Sequence, residues 1–257
     1  MARKWKAKDA EAKALADPMS KIVLQLQSSL IQSEARGILC GCSVLLAAEE
    51  EQAHLLGRAY FGDRVINAEK DKRWFQLDME EAFFLCYSLK CLKIVGEDKR
   101  PKDVQELWQY MKSKKAAFPD FYKAYSHLRL KNWVVRPGFK YGADFVAYRH
   151  HPNLVHSDYA VLVSSEEDGE ANGRLRVWSD IHGTLRLCLG VVKTLLVLSI
   201  SKNGHDAASP SCLENYTVDE RTVSRWVPEQ GREDDTSVDV ESPSITVVES
   251  GTSSVIV

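Results

Sequence analysis

The sequence predicts an α+β (mixed α/β) fold, and three observations carry that reading. Apolar residues recur at helical spacing through the first half, as at Ile22, Leu26 and Leu30. Alternating β-branched and aromatic runs dominate from Trp133 onward. One amphipathic stretch, Asp180–Val192, interrupts those runs. Together they give an N-terminal helix-rich α/β domain followed by a C-terminal mixed β-sheet domain with a flanking helix.

Composition fits that class. Of 257 residues 44% are hydrophobic and 27% charged, an ordinary balance for a soluble globular chain with ample sequence for a core. No apolar run reaches the length a membrane span needs, so no membrane partner is expected. The start, M-A-R-K-W-K-A-K, is basic but no apolar stretch follows it, which excludes a secretory signal. It reads as a solvated terminus, with nuclear targeting or RNA contact as the alternatives.

The formal net charge of −2 hides an asymmetry. From Glu229 onward there are seven acidic residues and one basic, so the preceding chain is mildly positive. That is compatible with a polyanionic partner. The six cysteines show no C-x-x-C pair and no matching histidine cluster, which favours reduced, mostly buried thiols over disulfides or zinc.

In order along the chain, residues 1–20 form a basic flexible terminus and 21–100 an α/β domain. G-I-L-C-G-C-S-V-L-L-A suggests two short strands about a glycine turn, and Glu49–Leu56 a helix. Asp78 followed by Glu81 marks the start of a helix Met79–Leu89 whose aromatic face, Phe83, Phe84 and Tyr87, is core. Residues 101–131 form a helical connection, where Trp108, Tyr122 and Tyr125 read as core or partner-facing rather than base-stacking. The domain 132–228 carries strands near Trp133–Val135, Gly142–Tyr148, Tyr159–Val163, Leu175–Trp178 and Thr194–Ile200. Glu166–Gly173 and Ser201–Ser211 read as loops, and 229–257 as an acidic disordered tail.

The chemistry gathers where two of these strands meet. Tyr148 ends one, and His156 opens the next after the loop His150-His151-Pro152-Asn153. A phenol and an imidazole both move protons without a metal. Lys193, between the amphipathic stretch and the last strand, adds a cation. Each has an ordinary alternative. Strand tyrosines such as Tyr141 and Tyr148 usually pack, loop histidines such as His150, His151 and His156 are usually solvated, and Lys193 can complement a helix C-terminus.

The segments Y-S-H-L-R-L-K-N-W-V-V, Y-G-A-D-F-V-A-Y, H-S-D-Y-A-V and W-S-D-I-H, with the helix ending at Lys193, follow one another in that order. Jointly they resemble the catalytic subunits of the eukaryotic tRNA-splicing endonuclease, over roughly residues 121–200. The lead-in K-N-W-V-V-R-P-G-F-K-Y-G resembles the subunit that cuts the 5′ splice site. The resemblance implies that 132–228 is a catalytic endonuclease domain. It implies Tyr148 as general base, His156 as general acid and Lys193 as the cation stabilising the phosphorane, with base and acid exchangeable between Tyr148 and His156. The products implied are a 2′,3′-cyclic phosphate and a 5′-hydroxyl, with no cofactor. Arg186 would clamp a bulged RNA base by cation–π contact, and Trp226 resembles the aromatic side of such a clamp. A surface salt bridge and a core tryptophan are their alternatives.

The implied setting is a heterotetramer in the nucleus acting on precursor tRNA. The competing readings are a non-catalytic subunit of the same complex and an RNA-binding module without nuclease activity.

Overall fold

The computed structural model describes residues 17–65, 73–96, 99–165, 186, 194–225, 245–249 and 254–256. The chain divides into two compact units. The first comprises Met1–Val134, Arg149–Val155 and Asn203–Tyr216; the second comprises Val135–Tyr148, His156–Lys202 and Thr217–Val257. The chain therefore enters and leaves each unit more than once.

The first unit opens with helix α1, Met19–Gln32, whose Met19, Ile22, Leu26 and Leu30 are buried at spacings of three and four. Strands β1, Arg36–Cys40, and β2, Ser43–Ala48, pair antiparallel about Gly41, which takes the left-handed φ of 57° that the turn demands. Burial alternates along both, so one sheet face carries the core. Helix α2, Glu50–Ala59, ends at Tyr60, which sits at φ 55° and is not a glycine. Strands β3, Asp63–Val65, β4, Arg73–Asp78, and β5, Lys93–Val95, complete a five-stranded sheet in the order β3-β4-β2-β1-β5.

Asp78 and Glu81 act as the sequence indicates. The Glu81 carboxylate accepts the backbone N–H of Asp78 at 3.1 Å, and also that of Gly62 at 3.1 Å. The helix they start, α3, is shorter than expected. It runs Met79–Phe83 and widens into a π-helical turn over Phe84–Ser88, closed by Leu89 N–H donating to the Phe84 carbonyl at 2.9 Å.

Helices α4, Val104–Lys114, and α5, Phe118–Leu130, belong to this same unit. Their aromatics are core. Phe83 lies 4.8 Å from Tyr122, 5.4 Å from Trp108 and 5.6 Å from Phe118 between ring centroids. Trp108 is fully buried and donates from Nε1 to the Ala207 carbonyl at 3.0 Å. Segment 203–216 is held further along α4 by Gln105 and Gln109, both donating to the Ala208 carbonyl.

The second unit is a seven-stranded sheet in the order β12-β11-β10-β9-β8-β7-β6. Its strands are β6 Val134–Pro137, β7 Phe145–Tyr148, β8 Tyr159–Ser165, β9 Thr194–Ser201, β10 Thr217–Arg225, β11 Ile245–Glu249 and β12 Ser254–Ile256. β8 and β9 run parallel while β7–β8 and β9–β10 are antiparallel. A parallel pair joins through a crossover rather than a hairpin. Arg186, within that connection, has helical backbone and is exposed. The expected strand Leu175–Trp178 and the loop Glu166–Gly173 lie outside the described residues, as does the rest of the expected helix Asp180–Val192. Strands β11 and β12 fall in the stretch read from sequence as a disordered tail; β11 pairs with β10 and β12 with β11.

Among the described residues no helix is long and apolar enough to cross a membrane.

Candidate active site

Two glycines and an aspartate bring β7 into register. Gly138 N–H donates to the Asp144 carbonyl at 2.9 Å, and Gly142 takes φ 67°. A Cβ at Gly138 would stand 2.7 Å from the Phe145 carbonyl oxygen, so only glycine lets the turn fold back this closely. Tyr141 lies in the 3₁₀ turn Phe139–Tyr141, and the strand begins only at Phe145, three residues later than expected. Asp144 donates its N–H to Val161 O at 2.9 Å, and its Oδ2 accepts Val163 N–H at 2.9 Å. From there Phe145 pairs with Val161, Val146 with Ala160 and Ala147 with Tyr159.

That register fixes what stands at the end of the sheet. Tyr148 is half-buried and follows the last paired residue of β7. Across from it, Asp158 N–H donates to the Ala147 carbonyl at 3.0 Å. His156 comes two residues earlier and is exposed. On the other side of β8, Tyr159 pairs with Thr194, the first residue of β9. Lys193 immediately precedes Thr194 in the chain and lies outside the described residues, as does Trp226, which follows the last residue of β10. The sequence predicts that His156 opens β8, but that strand begins at Tyr159, so His156 lies exposed in the loop before it, while Tyr148 is half-buried at the end of β7.

The loop between them corrects an expectation. The sequence predicts solvated loop histidines at His150 and His151. His150 is only 8% exposed, and its Nε2 lies 3.0 Å from the Asp17 carbonyl. His151 stands edge-on to Tyr60 with ring centroids 4.7 Å apart, and its Nδ1 accepts Asn153 N–H at 3.1 Å. Burial lowers the His151 pKa, so its ring is neutral at neutral pH. Both are packing groups of the first unit. No local signal in H-H-P-N distinguishes them from His156, because the partners of His150 and His151 are remote in sequence.

Among the described residues no group of three or more His, Cys, Asp or Glu is placed to hold a metal ion. Five cysteines are described, all free. Burial raises the thiol pKa of Cys86 to about 11 and of Cys91 to about 12, which keeps both protonated and unreactive. Cys40 and Cys42 are exposed, against the expectation of mostly buried thiols. Cys188 lies outside the described residues.

The architecture is a helix-and-sheet unit and a strand-rich unit, and comparison with known proteins supplies the class. Residues 35–108 match the tRNA intron endonuclease N-terminal domain, and residues 118–207 match the tRNA intron endonuclease catalytic C-terminal domain. The chain belongs to the tRNA intron endonuclease family and is a tRNA-intron endonuclease. It is 57% identical over 236 residues to tRNA-splicing endonuclease subunit Sen2-2 of Arabidopsis thaliana, covering 91% of this chain and 93% of that protein. It is 56% identical over 238 residues to subunit Sen2-1 of the same plant, covering 92% and 99%. An archaeal tRNA-splicing endonuclease, from Saccharolobus islandicus, is 29% identical over 164 residues, covering 61% of this chain and 90% of its own.

Proposed function

We propose that this chain is the subunit that cuts precursor tRNA at the 5′ splice site, within a nuclear heterotetramer. The RNA's own 2′-hydroxyl is the nucleophile. Tyr148 takes its proton, His156 protonates the departing 5′-oxygen, and Lys193 stabilises charge on the phosphorane. The P–O5′ bond breaks as the P–O2′ bond forms, leaving a 2′,3′-cyclic phosphate and a 5′-hydroxyl, the chemistry of an RNA lyase. Base and acid remain interchangeable between the phenol and the imidazole.

The observation that supports this most is the register of β7, β8 and β9. It sets Tyr148 at one strand end, His156 at the approach to the next, and Thr194, the chain neighbour of Lys193, opposite Tyr159. The test is reconstituted complex with intron-containing precursor tRNA in excess chelator. Cutting should persist and leave the cyclic end. tRNA bound without scission would favour a non-catalytic subunit or an RNA-binding module, and scission lost to chelator would count against the metal-free route.

Arg186 supplies a second test. Its guanidinium can lie flat on a bulged base, whereas lysine offers a point charge. Arg186→Lys should leave tRNA affinity nearly unchanged and slow the junction whose base it covers by roughly five- to thirtyfold. On the proposed assignment that is the 3′ junction, cut by the sister subunit. Single-turnover rates at each junction read this out. Equal slowing at both junctions with weakened binding would make Arg186 an ordinary phosphate contact.

A further inference from the structure

An open cavity of about 550 Å³ lies in the first unit, walled by α2, β3, β4 and loop 149–155. Arg58, Arg64 and Arg73 line it, and Asp63 is the one carboxylate among its described lining residues. Arg58 is paired with Asp17 and Arg73 with Glu50, each at 2.7 Å. Glu50 is 85% exposed in its side chain, so that pair is held loosely and a phosphate can replace the carboxylate. Arg64 is exposed and makes no ion pair among the described residues.

The cavity also has an aromatic wall. Tyr60 and His151 meet there edge to face. Tyr60 is held at φ 55°, a left-handed backbone that costs a non-glycine residue about 1–2 kcal/mol. The Arg129 donor to the Tyr60 carbonyl at 3.0 Å holds that backbone, and with it the ring against His151. His151 is neutral there because burial lowers its pKa, so it offers a ring rather than a charge. Asn153 also lines the cavity and precedes His156 by three residues. Three extended residues span at most about 11 Å.

We propose that this cavity is a substrate-contact site for a nucleotide flanking the cut junction, with Arg64 on its phosphate and the Tyr60–His151 wall beside its base. Guanidiniums around an aromatic wall are what an unpaired nucleotide requires, since a phosphate needs donors and an unstacked base needs a ring. Arg73 joins Arg64 once the strand displaces Glu50. The site rests on the reading of the chain as a cutter of precursor tRNA, and it is distinct from the residues that carry the chemistry.

The experiment is Arg64→Glu in the reconstituted complex, with tRNA binding measured across a salt series and single-turnover cutting at saturation. Affinity should fall about tenfold, and the slope of log affinity against log salt should shrink by about 0.7, one single-strand phosphate. The saturating rate and the melting temperature should not change. Unchanged affinity and salt slope would overturn the site. So would failure of the variant to assemble with its partners, which would make the cavity a subunit contact. Persistent cutting by His156→Ala is a separate result, and would refute the catalytic assignment while leaving the cavity to be judged by Arg64→Glu alone.

Discussion

His156→Ala should abolish cutting at the 5′ junction, by about 10²- to 10⁴-fold, the range for loss of a positioned general acid. Cutting at the 3′ junction and assembly should be nearly intact. His156 is exposed, so truncating it leaves no cavity and strands no buried group. Beside it, the Asp158 N–H to Ala147 carbonyl bond at 3.0 Å fixes the strand end through backbone alone. The variant should therefore melt where the unaltered protein melts. His150→Ala and His151→Ala should behave in the opposite way. The first removes a buried ring and its 3.0 Å contact with the Asp17 carbonyl, at about 1–2 kcal/mol. The second removes the ring packed on Tyr60. Both variants should lose stability yet keep most of their rate at saturating tRNA and at a temperature where they are folded. Single-turnover rates at each junction beside melting curves decide the matter. A folded His150→Ala that is inactive, with His156→Ala active, would move the acid to another histidine.

The contrast among these three histidines shows what the sequence carries and what it does not. The strand alternation on either side of H-H-P-N located β7 and β8, and the resemblance to the tRNA-splicing endonuclease family singled out Tyr148 and His156 as the candidate pair. Burial of His150 depends on Asp17, 133 residues away, and no local pattern reports it. The Asp78–Glu81 start was legible because both partners lie within one turn, yet the second acceptor role of Glu81, toward Gly62, was not. The sequence predicts an α-helix throughout beyond it, because apolar spacing does not separate a five-residue from a four-residue hydrogen bond. β11 and β12 are not legible in the sequence for a related reason. The stretch holding them is rich in Ser, Thr and acids, and short strands there draw their definition from pairing outward from β10 rather than from their own apolar content. The cavity beside loop 149–155 was equally invisible, since Arg64, Arg73 and His151 come from three separate stretches.

Arg129 is the clearest case of a residue whose role only the fold shows. In sequence it is one cation in H-L-R-L-K near the end of α5. In the structure it is 6% exposed and has no carboxylate partner among the described residues. Its charge is met by acceptors and rings. Nε donates to the Tyr125 hydroxyl at 2.9 Å, and the other two nitrogens donate to the Ala59 carbonyl at 3.2 Å and the Tyr60 carbonyl at 3.0 Å. The guanidinium carbon lies 4.0 Å from the Phe61 ring centroid, at a distance where cation–π attraction is strong once water is excluded. These contacts hold the end of α2, including the left-handed Tyr60. Arg129→Ala should therefore remove three hydrogen bonds and the cation from Phe61, and cost about 3–5 kcal/mol. Arg129→Lys keeps a charge but loses the planar fork, so it should recover only part of that loss. Because the same contacts pin Tyr60, the alanine variant should also weaken tRNA binding below its melting temperature. Denaturant melts of both variants, with binding measured on the folded fraction, test this. A loss under about 0.5 kcal/mol for Arg129→Ala, the range of an ordinary surface change, would show that the end of α2 holds without it.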